Sequence, residues 1–123
     1  MATAWAHLPN AALIDAVRAD VKARPDVWEE AWRFVRTTQP GARAAAIDAT
    51  WHEAKGTIRD ATRGTTSYTA WDALLALITW DDCAHLLGLP SDTLRTMIDL
   101  CDAPVCHQAV LLLPYVLVKE AGQ

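Results

Sequence analysis

The residues from Val105 to Val118, VCHQAVLLLPYVLV, give a helix almost no face to turn toward water. A helix that is apolar nearly all round is stable only when other elements cover it or when lipid surrounds it. Lipid fits poorly, because the strongly apolar core of the segment, Ala109 to Val118, is too short to span a bilayer and contains Pro114. A second segment, Tyr68 to Leu87, has the same character. Trp71, Leu74, Leu75, Leu77, Ile78, Trp80, Leu86 and Leu87 leave only a narrow polar strip at Asp72, Thr79 and Cys83. Two such helices in a chain of 123 residues must lie at the centre of one core, wrapped by the rest.

The wrapping elements are punctuated by Pro and Gly. Pro9 or Asn10 opens a helix to about Ala23, with Leu13, Ile14, Val17 and Val21 on one face. Pro25 suits the first turn of a second, in which Val27, Trp28, Ala31, Phe34 and Val35 share a face. Pro40 opens a third, ending near Gly64, with Ile47, Trp51, Ala54, Ile58 and Ala61 inward and Gly56 a weak point. Thr65, Thr66 and Ser67 offer N-caps for the fourth helix, 68–87, and Gly88 can end it. Ser91 or Asp92 caps a fifth helix to about Cys101, and Asp102 and Pro104 introduce the sixth, 104–121, which Pro114 should bend. No stretch alternates as a strand does. The expected fold is all-α: one domain, residues 1–123, a compact irregular or orthogonal bundle of about six helices with 68–87 and 104–121 central.

Charge and cysteine usage narrow the function by exclusion. The net charge of −4 argues against a general nucleic-acid or anionic-membrane binder. The charge is uneven: residues 1–65 carry nine Lys/Arg against eight Asp/Glu, and residues 66–123 carry two against seven. Three cysteines cannot all pair, and no signal peptide is visible, so a reducing cytoplasmic setting is expected. No cofactor motif occurs.

Four groups of residues invite a chemical reading. In TWDDCAHLLGLP, a continuous helix would place His85 about 40° from Asp81 and put Asp82 beside them, with Cys83 on the far side. Asp81, Asp82 and His85 then form either a general base with orienting carboxylates or a helix-end charge cluster, and the second reading is favoured. Cys83, His85, Cys101, Cys106 and His107 are potential zinc ligands, but their spacing matches no compact zinc signature, so no metal is expected. His52-Glu53 fails as a zincin motif because Gly56 stands where a second His is needed. His52, Lys55, Arg59 and Arg63 form a basic stripe opposite Ile47, Trp51 and Ile58, with Asp48 within it near its start; a solvated face is the favoured reading, ahead of a contact for an acidic partner, with nucleic acid a third use. Of the six Trp, Trp51, Trp71 and Trp80 read as core, and Trp5 and Trp32 as interface candidates.

The stretch AWDALLALITWDDCAHLLGLP followed by AVLLLP resembles the C-terminal region of small, Ala/Trp-rich helical accessory proteins of bacteriophages of GC-rich bacteria. The resemblance covers residues 68–118 and brings no catalytic residues with it. It implies a phage-encoded protein that modulates or inhibits a host protein or defence complex. Taken together, a non-enzymatic protein-binding module is expected, monomeric or homodimeric, with a host or phage protein as partner. The alternatives are a small enzyme or metal-dependent catalyst using Asp81, Asp82 and His85, and a nucleic-acid contact through Lys55, Arg59 and Arg63.

Overall fold

The structure, a computed structural model, describes residues 5–63, 68–100 and 104–122. Among these residues there are six α-helices and no strand: α1 (Ala11–Ala23), α2 (Pro25–Thr38), α3 (Pro40–Thr62), α4 (Trp71–Thr79), α5 (Ser91–Leu100) and α6 (Val105–Ala121). Short 3-10 segments, Tyr68–Ala70 and Cys83–Gly88, precede and follow α4. The N-cap candidates Thr65, Thr66 and Ser67, and Cys101 and Asp102, lie outside the described residues.

The first three helices follow one another with a single residue between them. Arg24 (φ −136°, ψ 59°) and Gln39 (φ −132°, ψ 48°) leave helical geometry, and each is followed by a proline at the start of the next helix. The proline ring crowds the α conformation of the residue before it, while its own fixed φ suits a first helical turn. Each Pro is thus both a stop and a start.

The all-round apolar segment is the hub. α6 packs against α2, α3, α4 and α5 and against the 83–88 segment, and Ala109 to Leu113 are fully buried. Pro114 is buried within α6, which continues through it to Ala121. α4 lies beside α6 and also touches α1 and α3, with Ala73 to Ile78 buried. Polar side chains tie the outer helices in place. Asp20 of α1 accepts hydrogen bonds from Trp28 Nε1 of α2 (2.7 Å) and from Arg24 (2.8 and 3.0 Å). Those bonds, Arg24's first, hold its carboxyl below the ordinary value. Arg18 donates to the Ala61 carbonyl near the end of α3 (2.7 Å).

Three expectations need correction. The fourth helix does not reach Leu87: it ends at Thr79, and Trp80 is extended (φ −116°, ψ 131°). The reason is side-chain competition for its last carbonyls. Asn10, buried and 67 residues away in sequence, donates to the carbonyls of Leu77 (3.1 Å) and Trp80 (2.9 Å). The Cys83 thiol takes those of Ala76 (3.4 Å) and Trp80 (3.6 Å). With these acceptors satisfied by side chains, α4 closes at Thr79, and Asp81 and Asp82 follow it outside the helix. Second, Phe34 is 37% exposed, whereas Trp32 is buried at 6%. α2 is turned so that Trp28, Ala31, Trp32 and Val35 face inward. Third, Ser91 does not act as an N-cap: it is the first residue of α5, and its N–H and hydroxyl both donate to Glu120 (2.8 and 2.7 Å).

Candidate functional site

The Asp81/Asp82/His85 group loses the helical face on which it was assembled. All three residues are exposed on the irregular corner after α4. His85 Nδ1 lies 2.6 Å from the Asp82 backbone carbonyl, and its ring makes no ion pair with either carboxylate. Neighbouring Cys83 is fully buried, and burial pushes its thiol up to about 11, so at neutral pH it is a protonated packing residue. His85→Ala is therefore expected to change stability by less than about 0.5 kcal/mol, as at exposed sites generally, which denaturant melts would measure. A loss above about 1 kcal/mol would restore the helix-end charge cluster.

Of the other zinc candidates, Cys101 lies outside the described residues. Cys83 and Cys106 are buried on different elements. No group of three or more His, Cys, Asp or Glu among the described residues is placed to hold a metal ion. No helix among them is long and apolar enough to cross a membrane.

The two Trp residues expected at an interface are inside. Trp5 is 4% exposed: its indole donates to Asp15 (2.9 Å), and the Arg18 guanidinium sits 4.8 Å from the ring centroid. Trp32 is the centre of a cluster that joins α2, α3 and the segment before α4. Tyr68 packs perpendicular to it, with centroids 5.0 Å apart. The Arg36 and Arg43 guanidiniums lie 4.9 and 5.7 Å from its ring. Arg43 in turn grips Asp72 through two hydrogen bonds of 2.8 and 3.0 Å. Asp72 is wholly buried, and burial, acting against the Arg43 bonds, raises its carboxyl above the ordinary value. Trp51 stacks on Trp71 at 5.9 Å and both are half-buried, as is Trp80. The signals for this cluster were present in the sequence as a Trp32–Arg36 spacing of four, which puts the pair on one helix face, and as one carboxylate in the apolar fourth helix.

The basic stripe is where its periodicity puts it. His52, Lys55, Arg59 and Arg63 are all exposed, three along the outer face of α3 and Arg63 just past its end. Arg63 pairs with Asp60 at 3.5 Å. Among the described residues no carboxylate lies in ion-pair range of His52, Lys55 or Arg59. Gly56 lies on the same face, and a Cβ there would meet nothing within 4 Å.

Two grooves open on the surface of the described residues. One, of about 240 Å³, runs between α2 and α6 and is lined by Val27, Glu30, Ala31, Phe34, Leu117 and Ala121. Arg95 covers the Phe34 ring at 5.5 Å. The other, of about 350 Å³, lies where the 83–90 segment meets the end of α6. Its polar groups are engaged within the fold: Lys119 donates to the Leu87 carbonyl (2.9 Å), and the Ser91 bonds hold the Glu120 carboxyl below its ordinary value. Comparison of the chain with protein-family models, with curated proteins and with solved structures gives no match.

Proposed function

We propose that the chain is a non-enzymatic protein-binding module whose outer α3 face docks on an acidic surface of its partner. The observation that carries this reading is the row His52, Lys55 and Arg59, exposed along one helix with no carboxylate in ion-pair range among the described residues. Such a row steers and orients an acidic partner. Gly56 supports it. An exposed glycine in the middle of a long helix costs about 1 kcal/mol relative to alanine, and here the fold supplies no reason for it. A partner approaching closely at that turn does. The phage resemblance of residues 68–118 makes a host protein or a defence complex, modulated or inhibited by binding, the most concrete target.

Affinity capture from a bacterial host, read by mass spectrometry, tests the proposal when the chain is run beside two variants. Lys55→Glu with Arg59→Glu should leave the melt within about 0.5 kcal/mol and abolish capture of the partner, because both positions are surface ones. Gly56→Ala should stabilise the chain by about 0.5–1 kcal/mol and weaken capture. Undiminished capture by the charge-reversed variant would refute the docking face, and retention of nucleic acid instead of protein would refute the partner class.

A further inference from the structure

The Trp32 cluster has features that the core does not require. Two guanidiniums pack on one indole, 4.9 and 5.7 Å from its ring centroid. Arg43 is neutralised by Asp72, and its side chain is 21% exposed. Arg36 is exposed and has no carboxylate within ion-pair range among the described residues. Tyr68, 59% exposed, adds a solvent-facing phenol to the same corner. The Trp32 indole N–H has no acceptor among the described residues, a buried donor left unsatisfied. Excess positive charge, an exposed aromatic and an unsatisfied donor all point to a missing anion.

We propose that this corner, formed by Arg36, Arg43, Trp32 and Tyr68, is a second and separate binding site that takes a carboxylate side chain from an acidic segment of a protein partner. Arg43 lies about 180° around α3 from His52, so the site is not an extension of the stripe. A carboxylate over Arg36 gains a charge-assisted hydrogen bond and supplies the counter-charge that Arg36 lacks, and the Tyr68 ring packs on the methylenes that carry it. The inference rests on the reading of the chain as a protein binder, but concerns a different surface.

The test uses an acetylated pentaglutamate peptide amide titrated into the isotopically labelled full chain, followed by the indole N–H and arginine Nε–H signals. The Trp32 indole signal and the Arg36 signal should shift together and saturate at lower peptide concentration than any shift of Arg59, while the signal of Trp5 stays in place. Arg36→Gln should weaken the peptide by about 10- to 100-fold, the range expected for loss of a hydrogen bond between charged groups. Tyr68→Ala should weaken it less. The Lys55→Glu, Arg59→Glu variant should show the same saturating Trp32 and Arg36 shifts as the parent chain. No saturable shift at millimolar peptide would overturn the proposal, as would equal or stronger saturation by inorganic phosphate or a single-stranded oligonucleotide. Loss of peptide binding in the Lys55/Arg59 variant, with Arg36→Gln unaffected, would place the peptide on α3; it would overturn this site and leave the docking face of α3 standing.

Discussion

Replacement of Leu112 by Ala is expected to lower the unfolding free energy by about 2–5 kcal/mol. Leu112 is fully buried in the middle of the helix that four others pack against. Its neighbours Leu111 and Leu113 are equally buried, so every direction around α6 is occupied at that level. Truncation therefore removes the transfer free energy of the lost methyl groups and leaves a cavity that packed helices on all sides cannot collapse to fill. Leu117, half-buried at the α2/α6 groove, should cost less when truncated, because water already reaches that side. Denaturant melts of the two variants make the comparison. A loss under about 0.5 kcal/mol at Leu112 would mean that α6 is not the hub.

Removing the Arg43 side chain is expected to cost about as much, roughly 3–5 kcal/mol, by a different route. Arg43→Ala leaves Asp72 wholly buried without its counter-charge, whereas removal of Asp72 leaves an arginine that can reach water. The pH dependence follows from the direction of the Asp72 shift. Its folded-state pKa is raised by burial above the unfolded value, about 3.9. The stability linked to its protonation is fully present below that unfolded value and is lost as pH rises through the folded one. Without Arg43 the folded value climbs further, so the deficit of Arg43→Ala should be smallest below about pH 4 and grow toward neutral pH. Replacing both partners, Arg43→Met with Asp72→Leu, should recover most of the loss, because no charge is then stranded. Thermal melts at acidic and neutral pH measure both effects. A deficit independent of pH would mean that the carboxylate finds another partner.

What was legible in the sequence is what local chemistry decides. The starts of α2 and α3 were readable because Pro25 and Pro40 each restrict the residue before them as well as their own. The centrality of α4 and α6 was readable because a helix without a polar face has few places to go. The break at Trp80 was not, since it depends on Asn10, and no pattern between residues 68 and 87 records a donor arriving from the start of α1. The error there carried into the candidate site: the angle between Asp81 and His85 has meaning only on a continuous helix. Phe34 and Trp32 were exchanged between surface and core because both border the apolar face of α2, and their neighbours decide which goes in. Trp32 gains Tyr68 and two guanidiniums, while Phe34 is left under Arg95 at the edge of a groove. The basic stripe survived because it needs only the periodicity of α3.

The central functional claim is that a protein partner covers the outer face of α3, and site-specific photocrosslinking tests it most directly. A benzophenone side chain would replace Glu53, exposed next to His52 at the rim of that face, and in a second sample Thr93, exposed on α5. After irradiation in the bacterial host, the account predicts a discrete protein adduct from position 53 that disappears when Lys55 and Arg59 are both changed to Glu, and none from position 93. An adduct at position 93 with none at position 53, or a nucleic-acid adduct at 53, would contradict it.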